Sequence, residues 1–336
     1  MPDRRGFFKD VLREVVKAHE SMNAAIGSLN DQLNDPEPDP WRPDPPRPAA
    51  PASGFVSDER LDELAREAGL EKRLTEVRGA ARAGVRLTPT AEPRGRSRLG
   101  GSPDIPADFA WPTWFDRPLA FVAQIDLAEL DAAGVSAGLP EAGLLLVFAE
   151  LAAALTGLMP DHKGSCRLVY FPPDTELAED TRRSAEFREL AVELSRELKL
   201  PSAYCFAAEP LGLEPTEMDA WEDLRSRLAR AQGVELEDDG YGRMALNRVL
   251  GYQDEVGREL ELDCQLASSG IDAGDVLAYF DVRDEHEAEA RRWRLLLQLT
   301  ADSTVRLGDG MERLFVCIRD DDLRAQRFDT AWALLR

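Results

Sequence analysis

The chain has 336 residues, with 41 Lys and Arg against 63 Asp and Glu and a formal net charge of −22. That length permits one large domain or two smaller ones, and a hydrophobic content of 43% is ordinary for a globular core. Phosphate recognition needs clustered Lys and Arg, so the acidic balance speaks against nucleic acid and against anionic membrane surfaces; the charge itself reads as solubility.

The N-terminus carries Asp3-Arg4-Arg5-Gly6-Phe7-Phe8-Lys9, which matches the start of a twin-arginine export signal. Export would need an apolar run of roughly 7–15 residues next. Asp10-Val11-Leu12-Arg13-Glu14-Val15-Val16-Lys17 follows instead, so export is not expected. Phe8, Leu12, Val15, Val16, Met22, Ile26, Leu29 and Leu33 recur at helical spacing and predict an amphipathic helix from about Arg5 to Leu33. Residues 35–54 are dominated by proline and read as a semi-rigid extended linker. Residues 1–34 are thus expected to form a tethered helix. Phe8, Leu12, Val15, Val16 and Met22 form its docking face, toward a protein partner by preference.

Ser57 to Ala83 returns to helical character, with Gly84 as its C-cap. Strands are predicted at Leu119–Gln124, Gly143–Phe148, Arg167–Phe171, Val276–Asp281, Trp293–Leu299 and Leu314–Ile318. Helices are predicted at Asp180–Leu198, Thr216–Arg230 and Asp320–Arg327, the last with Asp320 or Asp321 as N-cap. No apolar stretch approaches the ~20 residues of a membrane span. The four cysteines, Cys166, Cys205, Cys264 and Cys317, lack a C-x-x-C pair and read as buried thiols of a cytoplasmic protein.

One stretch stands apart. It runs Ser97-Arg98-Leu99-Gly100-Gly101-Ser102-Pro103-Asp104-Ile105-Pro106, then Trp111-Pro112, then Pro118-Leu119-Ala120-Phe121-Val122-Ala123-Gln124-Ile125-Asp126-Leu127, then Leu139-Pro140-Glu141-Ala142-Gly143-Leu144-Leu145. This succession resembles the YwqG-like family, a domain of unknown function (DUF1963) found mostly in bacteria, over about Leu87 to Trp332. The resemblance implies a fold and no particular activity. The second half also resembles the family pattern through its Leu-Gly-Tyr, its Trp-x-Leu-Leu-Leu-Gln and Gly308-Asp309-Gly310; Met311-Glu312-Arg313 departs from the smaller entry expected there.

The chain also repeats itself. Arg98-Leu99-Gly100-Gly101-Ser102-Pro103-Asp104 is answered by Arg248-Val249-Leu250-Gly251-Tyr252-Gln253-Asp254, and Leu119–Ile125 by Arg294–Leu299. Gly143–Phe148 is answered by Arg313–Ile318. The expectation is an α+β fold over residues 55–336, with duplicated β-rich halves (about 87–171 and 245–332) forming one body and helices outside.

Chemistry-bearing motifs are sparse. His19, His162 and His286 are the three histidines. His162 precedes Cys166 by four residues, but no second ligand pair accompanies them, so no metal is expected. Lys163-Gly164-Ser165 reverses the phosphate-loop order, and no dinucleotide fingerprint or nucleophile elbow occurs, so no cofactor is expected. Asp238-Asp239-Gly240 and Asp320-Asp321-Asp322 lack calcium-loop spacing and read as a solvated loop and a helix start. His286, within Asp284–Glu289, reads as part of an exposed polar loop.

What remains as binding candidates is Gly100, Gly101, Trp111, Trp114, Gln124, Gly251, Tyr252 and Gln298. They fit a cleft between halves, floored by the glutamines and walled by tryptophan. They also fit a purely architectural role, amides bonded to loop backbone and tryptophans in the core, and that reading takes precedence because buried polar groups are normally satisfied. The expected function is a cytoplasmic binding or protein-interaction module of unknown ligand. The competing expectation is a hydrolase or transferase with a carboxylate pair in the cleft.

Overall fold

The computed structural model describes residues 55–92, 95–135, 137–151, 155–180, 187–234, 247–254, 259–300 and 313–336, all within the unit Ala50–Arg336. The predicted N-terminal helix, the proline-rich linker, Asp238-Asp239-Gly240, Gly308-Asp309-Gly310, Met311 and Glu312 lie outside them.

Helices α1 (Asp58–Glu67) and α2 (Leu74–Ala80) lead into strand β1 (Arg82–Thr90). Strands β2 (Arg98–Leu99), β3 (Asp104–Ile105), β4 (Thr113–Trp114), β5 (Arg117–Pro118) and β6 (Ala120–Asp126) precede α3 (Leu127–Ala132). Next come β7 (Leu144–Ala149), β8 (Cys166–Phe171), β9 (Ala178–Glu179) and β10 (Leu190–Lys199), then α4 (Pro215–Ala231). The last stretch holds β11 (Arg248–Leu250), α5 (Leu260–Ser268), α6 (Val276–Ala290), β12 (Trp293–Thr300), β13 (Arg313–Arg319), α7 (Asp320–Arg324) and β14 (Trp332–Leu335).

Ten strands make one sheet in the order β14-β13-β12-β11-β1-β10-β2-β6-β7-β8. Its middle is the antiparallel pair β1–β10, in register from Arg82↔Lys199 to Thr90↔Ala191. Outward from that pair, β11, β12, β13 and β14 follow on one side and β2, β6, β7 and β8 on the other. The two ends curl toward each other: Tyr170 of β8 and Phe328, just before β14, hold their rings 5.7 Å apart.

Alternation along the strands explains the layers. Leu145, Val147 and Ala149 of β7 and Leu314, Val316 and Ile318 of β13 join one large core with Leu127 and Leu130 of α3 and Leu323 of α7. Their neighbours point the other way. Leu144, Leu146 and Phe148 meet Phe121 and half-buried Trp111, and Phe315 and Cys317 meet Trp293, Trp332 and Cys264 of α5. A separate cluster packs α1, α2 and α4 on Leu198 and Leu200 around Trp221. Both faces of β7 are therefore buried, which is why its sequence is a continuous apolar run.

Six local expectations are corrected. The helix expected over Ser57–Ala83 breaks at Gly69, at φ +84°, and ends at Ala80. Gly84 lies inside β1, where a Cβ would come 3.2 Å from the Gly251 backbone. The helix expected over Asp180–Leu198 is strand β10 from Leu190 onward. The strand expected at Val276–Asp281 is the start of α6, because Asp275 accepts from the amides of Leu277 and Ala278 and caps it; His286 accordingly sits on a helix. The N-cap of α7 is Arg319, with Asp320, Asp321 and Asp322 in the first turn, where they favour the helix dipole. Among the described residues no helix is long and apolar enough to cross a membrane.

Candidate functional site

The repeated segments build two polar constellations. In the first, Arg98 of β2 lies opposite Gln124 of β6. The chain then turns through Gly100 and Gly101 at φ +61° and +72°. A Cβ on Gly100 would sit 2.6 Å from the Arg188 carbonyl, so glycine is needed both for its angle and for its size. The turn brings Asp104 back onto Gln124: the Asp104 amide donates to Gln124 Oε1 at 2.8 Å, and Gln124 Nε2 donates to Asp104 Oδ2 at 3.2 Å and to the Arg96 carbonyl at 2.9 Å. Arg98 closes the ring through Nη2 to Asp104 Oδ1 at 2.7 Å and Nε to the Ser102 carbonyl at 3.1 Å.

In the second, Arg248 of β11 lies opposite Gln298 of β12. Leu250 and Gly251 take φ +62° and +73°. The Asp254 amide donates to Gln298 Oε1 at 3.0 Å, and Gln298 Nε2 donates to Asp254 Oδ2 at 2.9 Å. Arg248 Nη1 meets Asp254 Oδ2 at 2.5 Å and the Tyr252 carbonyl at 3.2 Å. Each glutamine also stands just past a bulge in its strand pairing, between Phe121 and Ala123 in one case and between Leu295 and Leu297 in the other.

The surroundings differ. Arg98 and Asp104 keep 14% and 15% of their side-chain surface, whereas Arg248 and Asp254 keep none. The buried constellation recruits more charge from the central strands. Lys199 donates to Asp254 Oδ1 at 2.7 Å, and Glu197 receives Arg248 Nε at 2.7 Å and Arg86 Nε at 3.4 Å. Burial opposes the charge on Asp254, yet Arg248 and Lys199 hold its carboxyl well below the usual range. Glu197 is likewise held down, by Arg248, Lys199 and Arg86 against burial. Burial and Arg248 pull Lys199 down from the usual lysine range. In the open constellation Arg98 and Arg96 overcome burial and lower Asp104.

These carboxylates are poor proton acceptors near neutrality, because strong bonds to cations stabilise their charged form. Both sides of each glutamine amide are engaged as well. A cavity of about 10 Å³, lined by Glu197, Lys199, Leu200, Arg225 and Leu228 among others, adjoins the second constellation; that is room for about one water.

The structure does not bring the eight binding candidates together. Gln124 bonds to Asp104 and Gln298 to Asp254, and four strands lie between β6 and β12. Gly100 and Gly101 belong with Gln124, and Gly251 and Tyr252 with Gln298. Trp111 donates its indole N–H to the Leu119 carbonyl at 2.8 Å and packs edge-on against Phe148. Trp293 is buried and donates to Gln265 Oε1 at 3.0 Å. Trp114 is half-buried on the β4–β5 hairpin, next to Phe115 and under Arg117. Tyr252 is buried beneath Arg82, and burial pushes its hydroxyl up to about 12.

Other sequence candidates have structural roles. His162 is buried and accepts from the Gly157 amide at 3.0 Å. Burial pushes the Cys166 thiol up to about 12. Among the described residues no group of His, Cys, Asp and Glu is arranged to hold a metal ion. The residues that sequence reasoning passed over are Arg98, Asp104, Arg248 and Asp254, whose repeated six-residue Arg-to-Asp spacing was the available signal, and Glu197 and Lys199, which gave none.

No curated protein matches the chain. The model of one family matches residues 97–336, most of the chain and nearly all of the sheet. The chain therefore belongs to the DUF1963 family, a domain of unknown function.

Proposed function

We propose that this protein is a non-catalytic, cytoplasmic interaction module built from two related halves, recognising a protein partner. One observation carries the reading. Phe115 is 75% exposed at the tip of the β4–β5 hairpin and holds φ +49°. A bulky residue in that backbone region is strained, and such strain concentrates where a side chain is needed for recognition. Trp114 lies 4.6 Å from it and Arg117 stacks on Trp114 at 5.6 Å, the residue types that dominate protein interfaces. The saturated, guanidinium-held carboxylates agree with a role in architecture.

Support for related halves is the matching set of features around Gln124 and Gln298: register, glycine-bearing turn, bulge, Arg and Asp partners, and strand order about β1–β10. Support for a cytoplasmic setting is that Cys166, Cys205, Cys264 and Cys317 are free and buried. The stripe Phe8, Leu12, Val15, Val16 and Met22 is proposed as a second contact to the partner.

The competing hydrolase or transferase reading draws on Glu261. Burial raises its carboxyl, and its Oε2 has no partner among the described residues. Its neighbour Glu259 is already committed to Arg283 and Tyr279.

The test is capture of partners by the full-length chain, by Phe115→Asn and by a chain beginning at Ser57. The reading expects a protein held by the full-length chain and lost with Phe115→Asn. Equal capture by both would remove the hairpin from the site.

A further inference from the structure

Residues 156–158, which follow β7 in the chain, lie against β14 at the other end of the sheet. Leu335 of β14 donates its amide to the Thr156 carbonyl at 3.1 Å. Trp332 Nε1 donates to the Gly157 carbonyl at 2.7 Å. The Leu158 carbonyl accepts from the Ala273 amide at 2.9 Å, ahead of α6, and Leu158 packs against two core clusters. The fit is close, since a Cβ on Gly157 would lie 2.0 Å from the Ala333 carbonyl oxygen. This strap covers the outer edge of β14, which would otherwise offer unpaired backbone groups.

The turn of the strap itself is closed by one titratable side chain within it. His162 Nδ1 accepts the Gly157 amide at 3.0 Å in a buried position. An imidazole nitrogen accepts only while it carries no proton. Adding one sets two donors face to face and buries a charge, and either effect opens the turn that presents the Gly157 carbonyl to Trp332.

We propose that His162 makes residues 156–162 a pH-operated strap, closed over β14 while the imidazole is neutral and released when it is protonated. The charged groups that face His162 are Asp161 on its own turn and Asp272 in the segment before α6; both favour the protonated ring. Burial outweighs them and holds the imidazole below its ordinary value. The closed form is therefore complete above about pH 6.5, the ordinary histidine value. It weakens as the pH falls below that, because the released segment takes up the proton that the closed one refuses.

The Trp332 indole N–H reports the state directly, because its acceptor is Gly157. In the full-length chain its nitrogen–proton resonance is followed from pH 7.5 to 4.5, beside hydrogen exchange at Leu335 and Ala273 corrected for the intrinsic pH dependence. The expected result is a transition with its midpoint below 6.5, together with loss of protection at both amides. In His162→Asn the side-chain oxygen accepts at every pH, so the transition should vanish. A Trp332 resonance that stays put in the wild-type chain overturns the proposal, as does the same transition in His162→Asn. Should that variant not fold, titration of the wild-type His162 ring decides: a midpoint that differs from the Trp332 midpoint refutes the strap.

Discussion

Gln298 and Asp254 exchange two hydrogen bonds, backbone amide to side-chain oxygen at 3.0 Å and side-chain amide to carboxylate at 2.9 Å. Gln298 is wholly buried, and so is the Asp254 side chain. Gln124 and Asp104 exchange the same two bonds at 2.8 and 3.2 Å, but Asp104 keeps a partly solvated carboxylate. Leucine at either glutamine leaves the aspartate's backbone amide without its acceptor and takes one donor from a carboxylate oxygen that an arginine still holds. The Asp104 side chain keeps 15% of its surface and the Asp254 side chain none, so bulk water compensates the loss better at Asp104. Gln298→Leu should cost about 2–4 kcal/mol and Gln124→Leu about 1–2 kcal/mol in urea unfolding. Equal losses would show that burial does not distinguish the two.

The charge cluster around Asp254 should make the fold sensitive to acid. Carboxylates held low by cations contribute stability that is complete above their unfolded values near 4 and is lost as the pH drops through the folded ones. Asp254 and Glu197 are both of this kind. Asp254→Asn leaves Lys199 and Arg248 facing a neutral amide and should cost about 3–5 kcal/mol at pH 7. Its stability should then fall less steeply than the wild type between pH 4 and 2. Parallel curves over that range would place the acid sensitivity elsewhere.

How far the sequence was legible can be traced to particular residues. β7 and β13 were readable because each is a short apolar run bounded by polar or turn residues. β10 was not: Leu190, Leu194 and Leu198 satisfy a helical spacing of four, and with Val192 they equally satisfy alternation. Its Ala, Glu, Lys and Arg favour helix, and pairing on both sides with β1 and β2 overrides that preference. A helix over that stretch hides the pairing that sets Glu197 against Arg248 and the neighbouring Lys199 against Asp254. The glutamines stand out in the sequence by their repeated place, and the structure sets each two residues before the end of its strand. The repeated six-residue spacing marks their Arg and Asp partners, but the turn that folds Asp104 and Asp254 back onto the glutamines is visible only in the structure. The tryptophans were grouped by type and scattered by the fold, since each indole N–H found its own local acceptor or surface.

The thiols should be silent in the native protein. Cys166, Cys205, Cys264 and Cys317 are all buried and free, and burial pushes Cys166 and Cys205 up to about 12. Thiolate is the reactive form, so neither access nor ionisation favours modification at pH 8. An aromatic disulfide reagent should release almost no colour from the folded chain and the equivalent of four thiols in denaturant. Fast labelling of one cysteine without denaturant would reveal local opening at its element.

Phe115 offers the sharpest separation of stability from recognition. At φ +49° its backbone costs roughly 1–2 kcal/mol relative to a residue at ease there. Its side chain is 75% exposed, and its edge contact with Trp114 at 4.6 Å returns only about 0.5–1 kcal/mol. Asparagine tolerates the left-handed region and adds less unfolded-state entropy than glycine. Phe115→Asn should therefore match or exceed the wild type in thermal stability, by up to about 1 kcal/mol, which is read as an unchanged or raised Tm. The same variant should lose partner capture. A lowered Tm would mean that Phe115 packs as part of the fold, and the strain at the hairpin tip would then have a structural cause and carry no argument for binding.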